Sequence, residues 1–178
     1  YGYEPIRDFM LTAGYRMPLN YTVELIESCK NSLERLYTCR DNLDFAIEHA
    51  HGDSDALVEK AGQARQKFIT AMDDDLNTPD ALAALFDFVK DINTLSDAAS
   101  RQALEQAAAM FDELAGVLGL LYNRKKDEVP AEVMDLVNQR AAAKKAKDWP
   151  RADAIRARLA EMGWTVTDTA QGPKVSKA

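Results

Sequence analysis

Between Thr22 and Leu118 the apolar residues recur three and four positions apart in four successive runs, a spacing that suits an α-helix with one buried side. The first run carries Ile26, Cys29, Leu33, Leu36, Leu43, Ile47 and Ala50, with Arg40 as its single polar member. Unbroken, it spans roughly 40 Å; the Arg40-Asp41-Asn42 step leaves a kink or two shorter helices open. Leu57, Ala61, Ala64, Phe68 and Met72 make the second stripe, and Leu82, Leu85, Phe86, Val89 and Ile92 the third. Leu104, Ala107, Phe111, Leu114 and Leu118 make the fourth. Four such helices on short connectors predict an antiparallel bundle, and Ala61, Ala64, Ala84, Ala107 and Ala108 let its members approach closely.

The punctuation between the stripes agrees. Thr22 and Ser100 are placed to cap the free amides of a helix start, and Gly52 to end the first long helix. In Asp73-Asp74-Asp75-Leu76-Asn77-Thr78-Pro79-Asp80, Thr78 is the expected cap and Pro79 the first helical residue, with Asp80 favoured by the helix dipole. Upstream, Glu4–Leu11 reads as a short helix and Tyr15–Tyr21 as a connector, because Pro18 turns its predecessor away from helix.

Asn123–Pro130 is charged, holds a proline and is expected to be a linker between a bundle over 1–122 and a small domain over 131–178. A helix is predicted from Ala131, then one capped by Asp148 that carries Ala154, Ile155, Leu159 and Met162 and stops at Gly163. Trp164–Asp168 alternates with the period of a strand, Thr169–Gly172 is a turn, and Lys174–Ser176 a short returning strand. The expected class is therefore mainly α: a helical bundle followed by a small mixed α/β domain of two helices and a short β-hairpin.

Composition narrows the function. With 47% hydrophobic and 29% charged residues the chain belongs with soluble globular proteins, and no apolar run reaches the roughly 20 residues of a membrane span. No signal peptide is legible, and a chain opening on Tyr1 reads as a domain excised from a longer protein, expected to be a cytoplasmic monomer. Cys29 and Cys39 lie roughly 15 Å apart on one helix, too far for a disulfide, which fits a reducing compartment. His49 and His51 point to opposite sides of a helix, and Asp73–Asp75 lack the spacing of a calcium loop, so no metal site and no catalytic pair is predicted in this chain.

Charge is divided unevenly. Residues 1–120 hold 10 Lys and Arg against 21 Asp and Glu, whereas residues 121–178 hold 12 against 8. Arg140, Lys144, Lys147 and Arg151 step by four, three and four, and form one ridge if the helix bends at Asp148–Pro150 without reversing. Trp149 and Trp164 lie close by, and an exposed aromatic beside arginines is what unpaired bases stack on. Three readings stand at this point: a single-stranded RNA surface, a solvated hairpin with both indoles in a small core, and a helical module that docks another protein.

Longer strings carry a family likeness. Gly14-Tyr-Arg-Met-Pro-Leu-Asn-Tyr21, Ser32-Leu-Glu-Arg-Leu-Tyr37 and Ala71-Met-Asp-Asp-Asp-Leu-Asn-Thr-Pro79 resemble cysteinyl-tRNA synthetase, as do Ala143-Lys-Lys-Ala-Lys-Asp-Trp149, Arg151-Ala-Asp-Ala-Ile-Arg156 and Gln171-Gly172. The likeness runs through nearly the whole chain. It implies the anticodon-binding region of that enzyme, with ATP and zinc bound in a catalytic domain absent here, and tRNA(Cys) and that catalytic domain as partners. It points to Arg151, Arg156 and Arg158 for phosphate or base-edge contacts, and to Lys144 and Lys147 for phosphate. Trp164 or Trp149 would stack a base, and Asp168 with Gln171 would bond base edges. After Gly172 the family usually runs through threonines to a tryptophan; this chain has Pro173-Lys174-Val175-Ser176-Lys177, and Lys174 and Lys177 keep positive charge there.

Overall fold

The computed structural model describes residues 2–124, 129–169 and 172–177. The chain divides into two compact units, Tyr1–Arg124 and Lys125–Ala178. The first holds α1 (Tyr3–Leu11), α2 (Val23–Glu48), α3 (Ala56–Asp73), α4 (Thr78–Leu95), a 3-10 turn (Ser96–Ala98) and α5 (Arg101–Val117). The second holds α6 (Ala131–Lys145), α7 (Trp149–Glu161), β1 (Trp164–Thr169) and β2 (Gly172–Lys177). Of the expected linker, residues 125–128 lie outside the described residues. Asn123 and Arg124 belong with the bundle, since Asn123 N–H donates to the Tyr37 hydroxyl and Arg124 pairs with Asp44.

In the first unit α3 packs on α4 and α5, α2 lies along α5 and α4, and α1 rests on α2. Phe88, Phe111, Leu36, Leu43, Leu57 and Leu85 form the centre, each almost fully buried. The α2 helix is continuous through Arg40, which settles the choice between one helix and two. Arg40 is itself buried: its Nε and Nη2 donate to Asp112 on α5 at 2.8 and 3.0 Å, and Nη1 to Asp44 at 2.7 Å. Because α2 touches α1, α4 and α5, its buried face is wider than one stripe and takes in Cys39 and Ala46. On α4 the core aromatic is Phe88 rather than Phe86, which is half-buried under the Arg35 guanidinium.

Two details differ from the sequence reading, the cap of α4 and the part played by Gly52. The cap of α4 is Asn77, whose side chain accepts from Asp80 N–H at 3.2 Å, so Thr78 is already helical. Gly52 is not a helix-ending glycine. A Cβ there would fall 2.2 Å from the Ala98 carbonyl oxygen, where Ser54 bridges to the Ala98–Ser100 segment. The turn between α3 and α4 places two non-glycine residues, Asp75 (φ 54°) and Leu76 (φ 55°), in the left-handed region. There Leu76 and Asn77 N–H reach the Met72 and Ala71 carbonyls, satisfying the end of α3. Asp75 also ties down the connector, accepting from the Tyr15 hydroxyl at 2.9 Å and pairing with Arg16 at 3.2 Å.

In the second unit α6 and α7 pack side by side across a three-residue turn, so the chain reverses there and the proposed continuous ridge does not form. Lys147 (φ 60°) makes the turn, and Asp148 caps α7 by accepting from Arg151 N–H at 3.2 Å. Val133, Val137, Ile155, Leu159, Trp164 and Val166 form its core. Ala152, not Ala154, is the buried alanine of α7. The strands pair antiparallel from Trp164↔Lys177 to Thr169↔Gly172, longer on the return than predicted.

Asp8, on the α1 face toward α2, is 1% exposed. Burial pushes its carboxyl from the ordinary 3.8 up to about 6; interaction with the Cys29 thiol opposes the rise and nearby Glu4 adds to it. A carboxyl that holds its proton more tightly when folded loses stability as pH rises from about 4 to about 6, and the loss stays constant above that. Asp8→Asn is expected to be more stable than the parent at pH 7.5, by on the order of 2–3 kcal/mol. Denaturant unfolding at several pH values checks this: the two proteins should converge near pH 4, and a less stable variant at pH 7.5 would refute it. Leu76→Gly should raise stability by about 1 kcal/mol, because glycine adopts the left-handed conformation without strain; an unchanged or lower urea midpoint would count against strain at that turn.

Candidate nucleic-acid interface

The α6–α7 turn gathers several of the residues singled out in the sequence. Lys144 sits in the last turn of α6, Lys147 in the turn itself, and Trp149 and Arg151 in the first turn of α7. Asp148 can cap α7 only if the chain leaves α6 at this point, and Pro150 near the helix start costs no hydrogen bond. The result is a helical corner with Lys147, Trp149 and Arg151 on its surface.

The two tryptophans part company. Trp149 is 56% exposed at the corner, whereas Trp164 is 7% exposed in the core, with the Lys177 ammonium 5.8 Å from its ring centre. A base cannot stack on Trp164 without opening that core, so of the two expected stacking residues only Trp149 offers a face. Strand alternation explains the difference: Trp164, Val166 and Asp168 share one side of β1, the side turned toward the helices.

Asp168 is occupied. Arg140 on α6 holds both of its oxygens, Nη1 to Oδ1 at 2.8 Å and Nη2 to Oδ2 at 2.9 Å, and Lys144 Nζ reaches Oδ2 at 2.8 Å. These hydrogen bonds, Arg140 first and Lys144 second, keep the Asp168 carboxyl far below the usual carboxylate range. Asp168 thus stays ionised and serves as the node joining α6 to β1, which changes its expected part as an independent base-edge acceptor. Lys174 pairs with Thr167 across the hairpin, one step from Asp168. Gln171 lies outside the described residues.

The remaining arginines are not part of the corner. Arg158 reaches Glu132 at 3.5 Å, which places it beside the start of α6, at the opposite end of the helical pair. Arg156 is exposed on α7, about 8 Å along the axis from Arg151. Arg140 was missed as a functional candidate and read only as part of a basic ridge. Its signal was present, since Val133, Leu136, Val137, Arg140 and Ala143 form the buried stripe of α6 and an arginine on such a stripe must meet a carboxylate.

Among the described residues no group of three His, Cys, Asp or Glu side chains could hold a metal ion. Cys29 and Cys39 are buried apart from one another in different clusters, and burial raises both thiols to about 11, the reverse of a zinc-ligating thiolate. The described residues therefore do not fit a zinc site. Among them, no helix is long and apolar enough to cross a membrane.

Comparison with known proteins finds two family models along the chain. Residues 67–122 match the family model described as DALR domain, and residues 126–173 match the one described as cysteinyl-tRNA ligase anticodon binding domain. The chain is 42% identical over 179 residues to a cysteine–tRNA ligase of Caldicellulosiruptor saccharolyticus, an alignment covering 98% of this chain and 38% of the relative. Against the cysteine–tRNA ligase of Clostridioides difficile it is 39% identical, over 98% of this chain and 39% of that protein. Against that of Klebsiella pneumoniae it is 41% identical, over 97% and 37%. The chain spans about two fifths of the length of the curated relatives it matches. It corresponds to the anticodon-binding region of the cysteinyl-tRNA synthetase family.

Proposed function

We propose that this chain recognises tRNA(Cys) for a cysteine–tRNA ligase, with the small domain expected over 131–178, within the second unit, contacting the anticodon loop and the first unit, which holds the bundle expected over 1–122, acting as its scaffold. The observation that carries the reading is the exposed Trp149 set between Lys147 and Arg151 on a rigid helical corner. An unpaired base can stack on the indole while the cations reach the flanking phosphates. Lys144, Lys147 and Arg151 supply the nearby positive charge, and Arg156 extends it along α7; Lys174 lies on the outward side of the hairpin, opposite Thr167. Phosphate contacts of this kind orient the RNA without reading it. The bundle is acidic and suits a spacer that RNA touches sparingly.

The charging reaction, with its ATP and zinc, belongs in this reading to the part of the ligase that the relatives have and this chain does not cover. Exposed apolar residues on α1 and the following connector, Met10, Tyr15, Met17 and Tyr21 among them, would face that part. The cytoplasm, where buried thiols stay reduced, and a monomeric state complete the proposal.

Fluorescence titration of the chain with a tRNA(Cys) transcript, and with one of altered anticodon, tests it. Trp149→Ala should weaken binding of the cysteine transcript about tenfold or more, the weight of one stacked base. Arg151→Ala should weaken binding of both transcripts and make the salt dependence shallower by about 0.7 in log–log slope. Arg158→Ala, at the far end of the helical pair, should change little. Binding that ignores both the anticodon and Trp149 would sink the proposal.

A further inference from the structure

The two cations that meet Asp168 differ in kind. Arg140 is buried, its side chain 8% exposed, and its planar fork fixes both the position and the plane of the carboxylate. Lys144 stands one helical turn further on, its side chain 35% exposed, and adds a single bond to an oxygen that Arg140 already holds. The two-point grip on Asp168 is thus Arg140's, and Lys144 adds to it from a half-exposed position. The place where this happens also matters. Asp168 lies in the pair Asp168↔Pro173, beside the closing pair Thr169↔Gly172 of the hairpin. The ion pair therefore ties this end of β1 to α6 in addition to its pairing with β2.

We infer that Arg140 is a positioning residue for RNA recognition: acting through Asp168 it fixes the turn end of the hairpin against α6, and it leaves Lys144 as the exchangeable cation that passes from Asp168 to an RNA oxygen on binding. The inference rests on the reading of the second unit as an RNA-binding surface. Arg140 itself is too buried to touch RNA, so its effect reaches the ligand only through its partners. Asp168 in turn restrains Lys144 in the free protein, which lowers its attraction to any RNA alike.

Three variants of the chain, each checked for folding by circular dichroism, separate this role from a structural one. The readouts are the ratio of dissociation constants for the altered-anticodon and cysteine transcripts, and the salt slope. Arg140→Lys keeps the charge but cannot hold a carboxylate by two parallel bonds; the ratio should fall about tenfold with the salt slope unchanged. Lys144→Ala should weaken both transcripts alike and make the slope shallower by about 0.7, the ratio being kept. Asp168→Asn releases the ammonium, so binding to the altered transcript should tighten while the ratio falls. A ratio within twofold of the parent in Arg140→Lys would show that Arg140 is merely structural and overturn the inference. Should that variant fail to fold, an unchanged ratio in Asp168→Asn overturns it equally. Parent protein that binds both transcripts alike would instead remove the RNA reading itself, before any substitution is made.

Discussion

A guanidinium placed on the inner face of a helix cannot shed its proton, so the fold must bring carboxylates to it. Each unit of this protein is arranged around one such demand. In the bundle Arg40 draws Asp112 of α5 and Asp44 of its own helix, and Arg124 joins the same group through Asp44. In the second unit Arg140 draws Asp168 of β1. Neither group is strong evidence for stability, because the desolvation of such charges offsets much of their attraction. What they specify is register. Arg40 permits one rotation and one height of α2 against α5, and Arg140 does the same for α6 against the hairpin. Apolar contacts alone would tolerate neighbouring arrangements far more easily.

Much of the architecture was legible in the sequence because three-four spacing and capping residues report local geometry. Thr22, Ser100 and Asp148 cap the helices they were assigned to, and the fourth stripe is buried at every position. Two of the misreadings come from contact between distant segments and the third from a local turn. Gly52 looks like a helix terminator, yet its lack of a side chain serves the Ala98 backbone, 46 positions away. Phe86 and Phe88 are equally apolar, and only the direction from which α2, α3 and α5 approach decides that Phe88 is central. Asn77 and Thr78 are both good caps; the left-handed pair before them delivers the chain one residue earlier than Pro79 suggested.

The residues of the proposed interface were legible in composition, their arrangement less so. A run of lysines and arginines with two indoles says that charge and stacking surfaces are near one another in the chain. It does not say where the helix reverses. Reversal at Lys147 separates Arg158 from the corner and turns a ridge into a point. The strand period carried more information than composition did, since Trp164, Val166 and Asp168 occupy alternate positions and must share a side. Once Val166 is core, Trp164 is core, and Asp168 must face α6. An acid pointing at a helix whose buried stripe contains one arginine has its partner already determined.

This geometry bears on how selectivity can arise in so small a unit. Its core is a single layer between two helices and a two-stranded sheet, which by itself leaves the hairpin marginal. A loose hairpin would let nearby lysines satisfy any RNA phosphate, giving affinity without discrimination. Tying β1 to α6 through Asp168 restricts where positive charge can stand, and it does so beside the closing pair of the hairpin. Trp149 is fixed by a different device, since Asp148 and Pro150 on either side of it set the first turn of α7. The backbone under the indole and the Lys144 ammonium are thus set by two separate devices, a helix cap and an ion pair. On the proposed reading, an RNA of the wrong shape would reach one of them without the other.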